Sequence, residues 1–372
     1  MPRRFRLWLC LHVLLLSRGR ALLDESKVFQ VLDRLSGLTL AVVGDLFLDK
    51  YLEIDGRLRE TSLETGLEAY QVARTRCTPG AGGTVLNNLA ALGVGRLLAV
   101  SVLGDDGEGF ELRRALDRRG VDLSLVIQSA ERATPTYTKP MLDVGSAPPR
   151  ELNRLDIKNR CPMPPALEAA LIAHLERAFR MADGLVVADQ VEEADHGVIT
   201  EQLRDRLAEL AAQQPDKVVL ADSRARIGLF RHVWLKANRT ECVRAIEASE
   251  GRWGASKAAG ADTLQSARGC SEFLARRAGR PVYCTLGSQG MLYTDAERST
   301  HIPAYPVAGA IDIVGAGDSA TAGIICGLCT GLDSVAAGAL GNLIASITIQ
   351  QIGTTGTATP EQVLRRWREV SQ

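Results

Sequence analysis

The sequence predicts an α/β fold with a mostly parallel central sheet, helices on both of its faces and a small antiparallel sheet beside it. Apolar runs of strand length alternate with segments of helix length along most of the chain, and short runs of alternating polarity interrupt that order. Uninterrupted apolar strands are typical of parallel sheets covered on both faces by helices. With 372 residues, of which 46% are hydrophobic, the chain can bury a large core.

The central strands are predicted, in chain order, at 38–44, 97–103, 184–188, 217–221, 233–237 and 282–286. Helices are predicted between them at 109–119, 166–181 and 199–213. In the first helix, Phe110, Leu112 and Leu116 are expected to face the core. Because ligands of such sheets bind beyond the carboxyl ends of the strands, the loops after these runs are expected to form the functional site.

The runs of alternating polarity predict the second, smaller sheet. They lie at 51–54, 68–75 and 136–142, and a period of two is typical of strands with one exposed face. We interpret this sheet as a lid over the strand ends, drawn from about residues 50–76 and 135–156. Lid strands leave exposed edges that pairing with a second copy would cover, which predicts a homodimer.

The first 23 residues differ from the single domain predicted over 24–372. Three arginines, Arg3, Arg4 and Arg6, precede an apolar run over 7–16 that is too short to cross a bilayer. This segment fits a targeting sequence, either secretory or organellar, or an extension upstream of the true start site. No other apolar stretch predicts stable insertion into a membrane.

Charge and cysteine content argue against several classes of protein. The 44 basic residues balance the 44 acidic ones, which does not suit a protein that coats nucleic acid or anionic membranes. The 8 cysteines are scattered along the chain, which predicts reduced thiols and no disulfide framework. Cys326 and Cys329 form a lone CxxC pair without nearby histidines, so we interpret them as structural.

The most specific segment is DIVGAGD, over residues 312–318. Glycines at the start of a helix let main-chain N–H groups converge on an anion, and the helix dipole adds partial positive charge. Asp318 would lie beside that anion and could accept a proton from a substrate hydroxyl while the amides hold phosphoryl charge. A small-molecule kinase needs this division of labour. The alternative is a strand–helix turn with a capping aspartate.

DIVGAGDS resembles the DTTGAGDxF signature of the PfkB (ribokinase-like) carbohydrate kinases. Other segments resemble motifs of that family in the same order: AVVGD (41–45) with Asp49, GAGG (80–83) running into Asn88, GDDGEG (104–109), NRTE (238–241) and TLGSQG (285–290). The resemblance covers about residues 35–370 and implies a ribokinase-like fold. Within the family, VVGDLFLDKY and RLD (154–156) are most similar to the kinase domain that phosphorylates D-glycero-D-manno-heptose 7-phosphate.

The resemblance implies a role for each matched residue. Asp318 would be the catalytic base, and the amides of Gly315, Ala316 and Gly317 would form the anion hole. The sugar would be bound by Asp45, Asp49, Gly82, Gly83, Thr84, Asn88 and Arg154. ATP would be bound by Asn238, Glu241, Thr285, Gly287, Gly290 and Asn342. Mg²⁺ would be held through water by Glu241, and a monovalent cation such as K⁺ by Asp312.

An ATP-dependent kinase that phosphorylates a hydroxyl of a sugar or sugar phosphate is therefore expected, in the cytoplasm or, if residues 1–23 are a presequence, in an organelle. The departures from the family pattern fall mostly on the sugar side: Thr84 in place of asparagine, LETGLEA (63–69) in place of an acidic, proline-containing run, Glu192-Glu193 in place of a lysine, and DSRA (222–225) in place of DPKG. They leave the sugar open. They also leave two alternatives, a weak or inactive sugar- or nucleotide-binding protein on the same fold and a nucleoside kinase of the same superfamily.

Overall fold

The structure, a computed structural model, describes residues 22–146, 148–249 and 263–371. The predicted targeting segment over 1–23 lies outside these residues except at its end. There Leu23 is fully buried, and its carbonyl accepts a hydrogen bond from Trp367 Nε1 at 3.1 Å. Leu23 therefore packs into the folded part of the chain, which we expected to begin at residue 24.

The described strands, in chain order, are β1 (Thr39–Gly44), β2 (Leu46–Thr61), β3 (Glu68–Ala81), β4 (Arg96–Gly104), β5 (Val121–Ser129), β6 (Thr136–Asp143), β7 (Arg150–Glu151), β8 (Leu155–Ile157), β9 (Gly184–Asp189), β10 (Val218–Ser223), β11 (Trp234–Asn238), β12 (Val282–Thr285), β13 (Met291–Thr294) and β14 (Ser299–Ile302). The central sheet has the order β14-β13-β12-β11-β10-β9-β1-β4-β5. Its strands run parallel from β12 to β5, and β13 and β14 are antiparallel additions at one edge.

A second, smaller sheet has the order β3-β2-β6-β7, with β8 also paired to β6. Its main component is the long antiparallel hairpin of β2 and β3. We expected an antiparallel sheet, but β2 and β6 run parallel, so the sheet is mixed. The reason is that the chain passes through β4 and β5 of the central sheet before it returns to the smaller one.

The described helices are α1 (Glu25–Arg34), α2 (Gly82–Ala91), α3 (Gly107–Asp117), α4 (Pro165–Met181), α5 (Glu201–Gln213), α6 (Arg239–Ser249), α7 (Thr263–Ala278), α8 (Ala316–Cys329), α9 (Ser334–Thr348) and α10 (Pro360–Ser371). They cover both faces of the central sheet. Along β1, Leu40 and Val42 join one core with α2, α8 and α9, whereas Ala41 and Val43 join another with α4 and α5. This alternation explains why the strand is apolar throughout. None of the described helices is long and apolar enough to cross a membrane.

One core prediction is wrong. Leu112 and Leu116 of α3 are fully buried, but Phe110 is 61% exposed, and its ring centroid lies 5.9 Å from the Arg114 guanidinium. Residues four apart share a helix face, whereas a residue two positions earlier lies on nearly the opposite side. Phe110 therefore cannot face the core together with the two leucines.

Candidate active site

Several of the motif segments identified in the sequence lie at the carboxyl edge of the central sheet. Asn238 at the end of β11 lies beside Thr285 at the end of β12, and Asp222 in β10 lies beside Lys236 in β11. Loops at this edge are where ligands of parallel sheets bind. The fold therefore gathers segments that are far apart in sequence into one candidate site.

The DIVGAGD segment forms the turn into α8. Gly315 has a φ of +80°, a left-handed conformation that glycine adopts without steric cost, and Asp318 lies in the first turn of the helix. The amide of Ala316 donates to the carbonyl of Ile313 at 3.2 Å, so it is not free for an anion, contrary to our expectation. Within the described residues, the amides of Gly317 and Asp318 meet no acceptor. They are suitably oriented donors for a phosphate.

The glycine-rich loop after β3 lies against this turn. A Cβ atom placed on Gly315 would lie 3.5 Å from Thr84 Cγ2. The loop itself is crowded, because a Cβ atom on Gly83 would lie 2.6 Å from Pro79 Cβ and one on Gly82 would lie 3.0 Å from the carbonyl oxygen of Asp45. The predicted sugar loop and the predicted base are thus brought together.

The surroundings of Asp318 suit a general base. Burial, followed by the negative charge of Asp222, raises the pKa of Asp318 to about 7, although Lys236 and Arg224 act in the opposite direction. A carboxyl group with a pKa near the working pH can take up a proton in one step and release it later. Asp49, on the lid side, also raises this pKa, so the two acids are close enough to interact.

Lys236 is a residue of the site that we did not predict. It is 5% exposed, and its Nζ donates to Asp222 Oδ2 at 2.7 Å. A Cβ atom placed on Gly317 would lie only 2.8 Å from this Nζ. The signal in the sequence is a single lysine inside the apolar run VWLKA, where a buried charge is uncommon.

Asn238 and Glu241 cap the start of α6 with each other. The Asn238 amide donates to Glu241 Oε2 at 2.7 Å, and the Glu241 amide donates to Asn238 Oδ1 at 3.0 Å. In this reciprocal capping box, Glu241 Oε1 accepts no hydrogen bond from the described residues. Burial and the charge of Asp222 raise the pKa of Glu241. The roles of these residues toward Mg²⁺ and phosphate stay predictions.

The predicted nucleotide residues after β12 form a tight turn. Gly290 has a φ of +92°, and its amide donates to the carbonyl of Gly287 at 3.0 Å. A Cβ atom on Gly290 would lie 2.2 Å from the carbonyl oxygen of Ile302, so only glycine fits there. Asn342 Nδ2 donates to the carbonyls of Ile302 and Pro303, each at 3.1 Å. Contrary to our expectation for an adenine contact, this amide fixes the chain after β14.

Asp45 has a different environment from the one predicted. Its Oδ2 accepts N–H groups of Gln190 at 2.7 Å and Val191 at 3.0 Å, and its Oδ1 accepts that of Val198 at 2.7 Å. Burial, followed by the negative charge of Asp189, raises its pKa to about 6. Because its lone pairs face main-chain donors of the loop after β9, Asp45 holds that loop and does not present a carboxylate to a sugar.

Asn88 also differs from its predicted role as a sugar ligand. Its side chain is fully buried, and Nδ2 donates to the carbonyl of Thr84 at 2.9 Å within α2. Asn88 lies four residues after Thr84, so the amide folds back along its own helix. It therefore stabilises the start of α2 behind the glycine loop.

On the lid side, Asp49 forms an ion pair with Lys139, whose Nζ lies 2.9 Å from Asp49 Oδ1. The pair is largely withdrawn from water, at side-chain exposures of 12% and 15%. Arg154 is exposed and pairs with both carboxylate oxygens of Asp156, at 2.7 and 2.9 Å, while its guanidinium lies 4.1 Å from the centroid of the Tyr137 ring. The smaller sheet thus carries both acidic and basic side chains, and these side chains are paired with one another.

Asp312 links two turns near α8. Its Oδ1 accepts the Val314 amide at 3.0 Å, and its Oδ2 accepts the Gly353 amide at 3.1 Å. The two segments expected to supply oxygens for a monovalent cation are therefore adjacent. Among the described residues, no cluster of three or more His, Cys, Asp and Glu side chains could hold a metal ion.

The model of the pfkB family of carbohydrate kinases matches residues 48–362. The chain belongs to this family. The membership that the motifs predicted is confirmed, and with it the relation to kinases that phosphorylate carbohydrates. The family relation also implies the use of ATP.

Two curated relatives of this pfkB family kinase are both bifunctional proteins HldE. The one from Trichlorobacter lovleyi is 30% identical over 348 residues, which cover 92% of this chain and 65% of the relative. The one from Caulobacter sp. is 30% identical over 333 residues, which cover 88% and 62%. The chain thus spans somewhat less than two thirds of the length of these relatives.

Solved structures confirm the ribokinase-like fold. The ribokinase of Arabidopsis thaliana, determined with ribose and ATP, has a TM-score of 0.61 and 19% identity, covering 88% of this chain and 98% of that one. A phosphofructokinase, so assigned provisionally, from Staphylococcus aureus has a TM-score of 0.62 and 18% identity, covering 88% and 96%. At this identity the likeness concerns the fold.

Proposed function

We propose that the protein is an ATP-dependent kinase that phosphorylates a hydroxyl group of a sugar phosphate, with Asp318 as the general base. The observation that carries this proposal is the position of Asp318. It lies in the first turn of α8, beside the unpaired amide of Gly317 and opposite the loop that contains Thr84. A base, an anion hole and a substrate loop are the parts that phosphoryl transfer to a hydroxyl requires.

In this proposal, Asp318 accepts the proton of the substrate hydroxyl, since a pKa of about 7 leaves much of it ionised at neutral pH. The amides of Gly317 and Asp318 and the positive end of the α8 dipole stabilise the charge on the transferred group. Bound ATP supplies the γ-phosphoryl group, and Mg²⁺ offsets part of its charge. Glu241 would hold Mg²⁺ through water, and Asp312 with the main chain near Gly353 would hold K⁺.

We infer that the acceptor carries a phosphate because cations line the side of the lid that contains Asp49. Tyr51 lies opposite Arg76 in β3 and Lys139 in β6. Its ring centroid lies 3.9 Å from the Arg76 guanidinium. Residues at i and i+2 share a strand face, so Asp49 and Tyr51 lie on the same face of β2. The negative charge of Asp49 also raises the pKa of Asp318, so this face is close to the proposed base. A phosphate on the sugar could therefore bind to Arg76 and Lys139, the two cations on either side of Tyr51.

The test is a screen of ATP consumption with heptose 7-phosphate, fructose phosphates, ribose and adenosine as acceptors. We expect turnover with a sugar phosphate and little with ribose or adenosine. Activity restricted to adenosine would instead identify a nucleoside kinase. If the folded protein binds ATP or a sugar but turns over none of these acceptors, the interpretation as a weak or inactive binding protein prevails.

The proposal includes a homodimer formed through the smaller sheet. Strand β3 is an edge of that sheet, and the hairpin exposes Leu67, Tyr70 and Val72, with exposures of 69%, 51% and 45%. An exposed apolar edge strand favours pairing with another chain. Light scattering should give the mass of a dimer, and Val72→Glu should shift it toward the monomer. A wild-type mass of one chain at all concentrations would refute the dimer.

The predicted cytoplasmic location belongs to the same proposal, because the reaction needs ATP. Fusions of a fluorescent protein to the carboxyl end, with and without residues 1–21, would test it. We expect the same distribution for both fusions. An organellar signal that requires residues 1–21 would support the presequence interpretation instead.

A further inference from the structure

Lys236 is a buried cation at the carboxyl edge of the central sheet. It lies in β11, in register with Asp222 of the neighbouring β10, and it is 5% exposed. The ion pair between its Nζ and Asp222 Oδ2, at 2.7 Å, occupies one of the three N–H groups of the ammonium. Within the described residues, no acceptor meets the other two.

These unpaired donors lie at the start of α8. The Nζ is so close to Gly317 that a Cβ atom there would lie 2.8 Å from it. The free amides of Gly317 and Asp318 are therefore immediate neighbours of the ammonium group. A glycine at this position gives the ammonium access to whatever anion those amides bind.

The charges around Lys236 keep it protonated. Burial works against the charged form, but the negative charges of Asp222 and Glu241 outweigh it, so the pKa of Lys236 lies above its ordinary value. Neutralising Asp222 would need only one N–H group. Burying two further N–H groups without partners is unfavourable, so a purely structural lysine would not be expected to leave them unpaired.

We propose that Lys236 contacts the transferred phosphoryl group directly and that Asp222 is the positioning residue that aims it. This inference rests on the proposed kinase function. In the transfer, the acceptor oxygen forms a bond to the γ-phosphorus, and the bond from that phosphorus to the β,γ-bridging oxygen breaks with its electron pair going to ADP. The hydroxyl proton goes to Asp318, and Lys236 keeps its own proton while offsetting the phosphoryl charge.

The test compares Lys236→Met, Asp222→Asn and the double variant with the wild type. The double variant removes both partners of the buried pair and so avoids an uncompensated buried carboxylate. We expect Lys236→Met and the double variant both to lower kcat by about 10²–10³-fold, with the KM of the acceptor nearly unchanged. Asp222→Asn should lower kcat by about tenfold, because the cation remains but is less well aimed.

A second readout does not need turnover. Because ADP lacks the γ-phosphate, the ratio of the ADP Kd to the ATP Kd should fall at least tenfold in Lys236→Met and in the double variant. The matched control is Lys217→Met, since Lys217 Nζ donates to the carbonyls of Phe179 and Ala182 next to the amino end of β10. Neither kcat nor the Kd ratio should change in that variant.

Recovery of wild-type kcat and of the Kd ratio in the double variant would overturn the inference, because Lys236 would then serve only to neutralise Asp222. A wild-type protein without kinase activity would defeat the proposed function instead. In that case the Kd ratio still decides the contact between Lys236 and the γ-phosphate. The two failures are thus distinguishable.

Discussion

Asp318 and Asp45 lie at the same edge of the central sheet, and burial raises the pKa of both, to about 7 and about 6. The two acids differ in the hydrogen bonds that their carboxylates accept. Asp45 accepts three main-chain N–H groups, whereas the Asp318 carboxylate accepts none from the described residues. A raised pKa alone therefore does not identify a reacting acid. An acid whose lone pairs remain free can react, and one whose lone pairs are occupied holds the fold.

The surroundings of the two acids reinforce this contrast. The loop that Asp45 holds is also fixed by Arg132, which donates to the carbonyl of His196, and by Arg226, which donates to that of Glu192 at 2.8 Å and pairs with Asp189 at 2.5 Å. Around Asp318, the amides at the start of α8 and the Lys236 ammonium include donors that meet no acceptor in the part of the chain that the structure describes. The carboxylate oxygens of Asp45 are thus occupied by main-chain donors, whereas Asp318 lies among donors that a bound ligand could engage.

The largest effect is expected from Asp318→Asn. Removal of the base should lower kcat by about 10²–10⁴-fold while the Kd of ATP stays nearly constant, because the amide keeps the shape but cannot accept the proton. Steady-state kinetics and calorimetry measure the two quantities. Asp333→Asn is the control, since Asp333 caps α9 in the same way that acids cap other helices and should leave kcat unchanged. Wild-type turnover in Asp318→Asn would show that another group is the base.

Asp45→Asn should have the opposite signature. An asparagine side chain turns at least one N–H donor toward the loop amides, and we expect a loss of about 2–4 kcal/mol in the free energy of unfolding. Urea denaturation measures this loss, and kcat per folded molecule should stay within about tenfold. The exposed Asp117→Asn serves as control. Unchanged stability combined with a large rise in the acceptor KM would restore Asp45 as the sugar ligand that the resemblance implied.

A smaller effect is expected in the pH dependence of the free energy of unfolding, which tests the raised pKa of Asp318. Asp318 has a folded pKa of about 7, above its value of 3.8 in a free chain. The folded state thus binds the proton more tightly, so wild-type stability rises as the pH falls through 7. Asp318→Asn should therefore be more stable than wild type at pH 8, and this advantage should shrink by about 2–3 kcal/mol between pH 8 and pH 5 and vanish only below about pH 4. An advantage independent of pH would argue against the raised pKa.

The sequence predicted six of the nine described strands of the central sheet and the glycine-rich turns, but it missed β5, β13 and β14 and the hydrogen bonds between loops. Apolar runs indicate β1, β9 and β10 because both faces of the sheet are covered, and Gly315 indicates the turn because α8 needs a left-handed residue there. The role of Asp45 depends on amides up to 153 residues away, at Val198. No local pattern reports such a partner. Lys236 could have been found, because a lysine inside an apolar strand requires a buried counter-charge.

The smallest effect tests whether backbone strain at the glycine-rich loop after β3 contributes to binding of the acceptor. Ala81 has a φ of 54° and a ψ of −127°, a conformation that usually requires glycine. Ala81→Gly should relieve this strain and stabilise the fold by about 1 kcal/mol, while the more flexible loop should raise the acceptor KM several-fold. Ala91→Gly, at the end of the helix that follows, should instead destabilise the protein by about 1 kcal/mol. Equal losses of stability in both variants would mean that Ala81 is not strained. The conformation of this loop would then contribute to the stability of the fold, as Asp45 does, and not to binding of the acceptor.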